Sequence, residues 1–161
     1  MDIILHTVSI IFFVYNMYVI YHIGLPESVS ATSYFFLEKH NKPYIFTLMS
    51  FLIGITILPA WLTISPENWQ FLAFLTVGGI LFAGATPLFR SDFEKPIHYT
   101  SGILLLLTYI TWFIVTGNYD MLLLTAIICF FGIIHSPQSY VYIFEVIGYY
   151  ILNGYLINQL N

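Results

Sequence analysis

No Asp, Glu, Lys or Arg occurs between Asp2 and Glu27, between Lys42 and Glu67, between Glu67 and Arg90, between Lys95 and Asp120, or between Asp120 and Glu145. Each interval is long enough for a helix to cross a bilayer, since about 30 Å of hydrocarbon takes about 20 apolar residues. Inside lipid a lone segment must satisfy its own backbone N–H and C=O groups, which leaves the α-helix. The composition agrees: 59% of the residues are hydrophobic and 7% charged, where soluble domains carry roughly 25% charged residues. The chain reads as an all-α, polytopic integral membrane protein, expected to form a single domain over residues 1–161.

The apolar runs divide into six expected spans: Ile3 to Ile23, Tyr44 to Ile64, Trp69 to Phe89, Ile97 to Thr116, Met121 to His135 and Ser139 to Ile157. The first is expected to be a retained helix and not a signal peptide. It has no basic start, and Asn16 interrupts what would be the apolar core. Gly24-Leu25-Pro26 ends it. Pro26 to Lys42 is too polar to span, and Ala31 to Lys39 reads as a short helix lying at the interface, with Ser28 as a cap. Pro59 is expected to kink or thin the second span. Gly79 and Ala83 in the third have the small-xxx-small spacing that lets helices approach closely, within one chain or between copies in a homo-oligomer.

Six spans put Lys39, Lys42, Arg90 and Lys95, the only Lys and Arg residues, on one side. The positive-inside rule makes that side cytoplasmic and places both termini outside. Trp61, Trp69 and Trp112 fall toward the opposite face. A net charge of −4 and no basic patch argue against a nucleic-acid partner. Membrane lipids are the partners this composition implies. Cys129 is the only cysteine, so no disulfide forms within one chain.

Glu145 is the costliest residue in this layout. It lies about 10 Å into the sixth span at 1.5 Å per residue, where a carboxylate is expected to face the bundle interior and to be paired or protonated. Gln138, Tyr142, Tyr149 and Asn153 share its helical face and make a polar seam. Two roles are open for it: a site group that handles a proton or a ligand, or a hydrogen bond that fixes helix packing.

Four of the five histidines, His22, His40, His98 and His135, belong to the cytoplasmic half. Asp92, His98 and His135 are residue types that bind zinc, and with Glu145 they form a candidate constellation drawn from separate segments. Their spacing matches no contiguous metal motif, and such residues at helix ends are more often interfacial groups in contact with headgroups and water. No cofactor is expected on this reading; zinc is what the alternative would require. Ser28 and Ser30 are candidate nucleophiles if a histidine lies beside them, and capping residues if not.

Leu25-Pro26-Glu27-Ser28-Val29-Ser30 after the first span, and Thr86-Pro87-Leu88-Phe89 followed by Asp92 and His98-Tyr99 before the fourth, resemble the pattern of the DUF998 and Frag1/DRAM/Sfk1-like group. That resemblance implies a six-helix bundle associated with lipids and membranes, and no particular activity. A fainter similarity, to ceramidase-type hydrolases that gather Ser, Asp and His around zinc, lacks its terminal H-x-x-x-H: Ser139 stands four residues after His135.

These residues leave several functions. The leading expectation is a non-catalytic protein with a polar pocket on the cytoplasmic side, lined by Asp92, His98, His135 and Glu145 with Ser28 and Ser30 at the rim, that binds a lipid, small ligand or partner protein. The alternative is a metal-dependent hydrolase of lipid amides or esters, with Asp92, His98 and His135 on the metal and Glu145 moving protons. A proton-coupled transporter using Glu145 and a pore-forming protein follow.

Overall fold

The computed structural model describes residues 1–161. It is entirely helical: α1 (Asp2–Ile23), α2 (Thr32–His40), α3 (Tyr44–Ile64), a single 3-10 turn (Glu67–Trp69), α4 (Gln70–Gly84), α5 (Glu94–Val115), α6 (Tyr119–His135) and α7 (Tyr140–Leu160). Four of these, α1, α3, α5 and α7, are long and apolar enough to cross a membrane.

Residue distribution supports the same conclusion. Ile10, Phe13, Ile55, Phe74, Ile103 and Leu107 point outward, whereas Asn16, Thr76, Thr108, Thr125 and Asn153 are buried. Water would penalise so much exposed apolar surface. Hydrocarbon favours it, and favours polar groups bonded to one another inside.

Local sequence explains the helix ends. α1 stops at Gly24, whose φ of 75° is left-handed backbone that suits glycine, with its N–H on Ile20 O. α2 stops at Asn41, also left-handed at φ 55°. There the Asn41 and Lys42 N–H groups bond Leu37 O and Phe36 O at 2.9 and 3.0 Å, which satisfies the last carbonyls.

α4 ends at Gly84, five residues before the expected Phe89. Pro87 disfavours helical backbone at Thr86, and the Thr86 hydroxyl turns back to the freed carbonyls of Phe82 and Ala83. α5 begins at Glu94, three residues before the expected Ile97. Ser91 Oγ accepts the Glu94 N–H at 3.2 Å, and Ser91 O accepts the Lys95 N–H at 3.0 Å. Ser91-Asp-Phe-Glu94 has the S-x-x-E spacing of a capping box, but the Glu94 carboxylate accepts the Leu88 N–H at 2.7 Å and not that of Ser91, which bonds Leu88 O. Pro96 falls in the first turn, where no backbone donor is required. α7 runs three residues beyond the expected Ile157, to Leu160. Pro59 sits inside α3 without breaking it.

α4 is held closely on both sides. A Cβ on Gly84 would lie 2.4 Å from Ser50 Cβ of α3, and one on Gly79 would lie 2.8 Å from Ser101 O of α5. At the second crossing Thr76 Oγ1 donates to Thr108 Oγ1 at 2.7 Å, while Thr108 donates to Leu104 O of its own helix. The buried core draws on α1, α2, α3, α4, α5 and α7, and Trp61, Trp112 and Phe113 are its largest fully enclosed side chains. Trp112 Nε1 donates to Ser65 Oγ at 2.9 Å, joining α5 to the end of α3. α6 contributes only Thr125 and Gly132 to the interior and lies on the outside of the bundle.

Candidate functional site

The polar seam on α7 is directed at α1 and at the segment that follows it. From the far end inward, Asn153 Nδ2 donates to Ser9 Oγ at 2.6 Å, and the Tyr149 hydroxyl lies 3.2 Å from the same oxygen. The Tyr142 hydroxyl donates to Asn16 Oδ1 at 2.5 Å, and Asn16 Nδ2 donates to Phe12 O at 2.6 Å. Asn16, isolated in the middle of α1, thus makes an interhelical bond with α7.

The seam continues onto the segment between α1 and α2. Ser139 Oγ donates to Leu25 O at 3.0 Å, the Tyr142 N–H donates to Glu27 O at 3.2 Å, and Glu145 Oε2 accepts the Val29 N–H at 2.6 Å. The first two turns of α7 therefore bond three successive parts of residues 25–29. The Tyr142 N–H is free to do so because the first N–H groups of a helix have no partner within it. Glu145, partly buried, supplies the bond deepest in the bundle.

Beyond Val29 the chain turns on its own side chains. Ser28 Oγ accepts the Ala31 N–H at 3.1 Å and lies 2.9 Å from Ser30 Oγ. Thr32 Oγ1 donates to Val29 O at 2.6 Å and is also bonded to the Tyr15 hydroxyl. Ser33 Oγ donates to Pro87 O at 2.5 Å, and the Tyr34 hydroxyl accepts the Arg90 N–H at 2.7 Å. The Arg90 guanidinium lies over the Tyr34 ring and 3.4 Å from Glu27 Oε2. The segments 24–43, 85–93 and 136–139 thus meet at one end of the bundle. A shallow cleft opens there, lined by Leu25, Glu27, Gln138, Ser139 and Val141.

The sequence candidates are distributed unevenly over this end. Glu145, Ser28 and Ser30 lie in or beside the segment 25–31. Ser28 and Ser30 bond to each other and to backbone, as a turn requires, with no histidine as partner. The structure does not gather Asp92, His98, His135 and Glu145 into a pocket. His98 Nδ1 pairs with Thr86 Oγ1 at 3.1 Å, and its ring stacks on Phe89 at 4.7 Å. Asp92 is exposed in the turn before α5. His135 is exposed at the end of the peripheral α6, with Nδ1 on Phe131 O. No three His, Cys, Asp or Glu side chains are grouped to hold a metal ion. The physical reason is that these residues sit on separately anchored segments: His98 and His135 bond close in sequence, Glu145 bonds Val29, and Asp92 is exposed.

Sequence reasoning did not find the segment 25–29 as the partner of Glu145. The run Leu25-Pro26-Glu27-Ser28-Val29 holds backbone donors with no helix to accept them. Such donors next to a membrane-buried carboxylate are the signal that pairs the two. Comparison of the chain with family models, with curated proteins and with solved structures found no match.

Proposed function

We propose that this chain is a six-span membrane protein that binds a lipid or another small ligand, without catalysis, where the segment 24–31 rests on the start of α7. The observation that carries the reading is the Val29 N–H on Glu145 Oε2. The one carboxylate beyond the first turn of a spanning helix accepts a backbone bond from a loop and so acts as a structural acceptor. The open cleft of Leu25, Glu27, Gln138, Ser139 and Val141 lies at the same loop. A hydrolase using Asp92, His98 and His135 would need those residues together, whereas each is bonded or exposed elsewhere.

The two further spans in this reading are α4, with its preceding turn, and α6. At 1.5 Å per helical residue and 2.0 Å per 3-10 residue they measure about 28 Å and about 26 Å, close to the hydrocarbon thickness. Alternating passes then put the ends of α1, α4 and α6 on one side, with all four Lys and Arg residues, and both termini on the other. α2 lies at the interface on the cytoplasmic side, its Phe35 and Phe36 buried and its Glu38, Lys39 and His40 exposed. A six-helix bundle of this kind accords with the DUF998-like resemblance.

The test compares Glu145→Gln with Glu145→Leu in the purified full chain, measuring bound lipid by native mass spectrometry and thermal unfolding in detergent. The glutamine amide oxygen still accepts the Val29 N–H, so Glu145→Gln is expected to keep both stability and bound ligand, and Glu145→Leu to lose both. Loss of function in Glu145→Gln at unchanged stability would instead assign the carboxylate a proton-transfer role and overturn the reading. A C-terminal tag reached from outside intact cells supports the six-span orientation, and a cytoplasmic tag refutes it.

A further inference from the structure

Away from the cleft, the joined ends of α1 and α2 carry a cluster of basic and aromatic side chains whose outer polar atoms have no partner in the chain. Three groups able to carry positive charge surround the Tyr18 ring. The His22 ring lies 4.4 Å from it, the His40 ring 6.1 Å and Lys39 Nζ 5.7 Å. Lys39 Nζ also lies 5.5 Å from the Phe35 ring. The Tyr18 hydroxyl and His40 Nε2 are 2.8 Å apart, and His22 Nδ1 is bonded to Tyr18 O at 2.8 Å. His40 Nδ1 and His22 Nε2 make no bond within the chain, and both rings are exposed. Lys39 is exposed as well.

The Lys39 ammonium is not neutralised by the protein. Its one ion pair is Arg90 with Glu27. Glu38 adjoins Lys39 in sequence, but successive helical residues point about 100° apart. Helix capping does not account for the cluster either, because the last carbonyls of α2 are already taken by the Asn41 and Lys42 N–H groups. A metal ion is disfavoured by the ammonium group and by the lack of a third His, Cys, Asp or Glu ligand. An ammonium and two imidazoles set on aromatic faces suit a multiply charged oxyanion.

The neighbourhood selects the kind of anion. Tyr21 and Ile23, in the last turn of α1, are 86% and 49% exposed. They flank the cluster at the point where a membrane-spanning helix leaves the hydrocarbon. An anion bound there has room for acyl chains along Tyr21 and Ile23, as a phospholipid does and a free phosphate does not.

We propose that Lys39, His22 and His40 around Tyr18 form a site for the phosphate of an anionic phospholipid headgroup. This site is separate from the cleft lined by Leu25, Glu27, Gln138, Ser139 and Val141. The test uses the full chain purified in detergent, with dioctanoyl phosphatidylglycerol, dioctanoyl phosphatidylcholine and inorganic phosphate as probes and native mass spectrometry as readout. Phosphatidylglycerol is expected to bind at least about fivefold more tightly than phosphatidylcholine. Lys39→Gln is expected to weaken it about fivefold, the equivalent of about 1 kcal/mol for one charge at a membrane surface. Lys39→Arg is expected to restore binding, and Lys95→Gln to leave it intact. Equal binding of the two lipids, or no effect of Lys39→Gln combined with His40→Gln, would overturn the site. Inorganic phosphate competing at the affinity of the lipid would overturn the assignment to lipid.

Discussion

Replacing Gly79 with alanine adds a single methyl group, and the structure says where it goes. Its carbon would lie 2.8 Å from Leu105 Cβ, 2.8 Å from Ser101 O and 3.1 Å from Leu105 Cα. Comfortable carbon contacts are about 3.5–4.0 Å, so α4 and α5 must part by about 0.5–1 Å. The atoms met are backbone and Cβ, which no rotamer change removes, and overpacking of this kind costs about 1–3 kcal/mol. Alanine also gains up to about 1 kcal/mol over glycine in helix propensity. Gly78 isolates that gain, since a Cβ there meets nothing within 4 Å. The stability of Gly79→Ala relative to Gly78→Ala is therefore the packing cost alone, about 1–3 kcal/mol. At about 2–4 °C per kcal/mol for a chain of this size, the two variants should melt several degrees apart. Circular dichroism in detergent would measure it. Equal melting temperatures would refute the claim that α4 and α5 cross in contact at Gly79. The crossing matters for function because α4 and α5 carry the 85–93 segment that bonds Ser33, Tyr34 and Glu27.

Tyr142→Phe removes the donor to Asn16 Oδ1, which is buried at 2% exposure for the residue, and should destabilise by about 1 kcal/mol. Tyr140→Phe, at an exposed position, should cost nothing measurable in the same melting assay. Ser91→Ala removes the hydroxyl that accepts the Glu94 N–H at the start of α5 and is expected to cost about 1 kcal/mol. Hydrogen exchange should show the Glu94 amide losing protection first, and unchanged exchange there would rule out the Ser91 bond. Gly24→Ala meets no atom within 4 Å yet places a side chain at φ 75°, so a loss of about 1–2 kcal/mol is expected from backbone strain alone. A neutral result would mean that the turn after α1 adopts another conformation.

Sequence alone determined that this chain is helical and built for a membrane. Length, hydropathy and the demand that every backbone group in lipid be bonded within its own segment leave no other regular structure. Those are local or summed properties, and they also placed Tyr142, Glu145, Tyr149 and Asn153 on one helical face, while Gln138, expected there too, lies in the turn before α7. Tertiary structure decided what that seam meets. The Glu145 bond joins residues 116 apart in sequence, and the Asn16 bond with Tyr142 joins residues 126 apart. No periodicity encodes which of several apolar helices packs against which. The same limit explains Asp92, His98 and His135, which share a layer by depth in the sequence but stand on different segments in space. Depth along a helix follows from counting residues; convergence across helices follows from packing, where small residues such as Gly79 and Gly84 bring backbones together and α6 stays at the periphery.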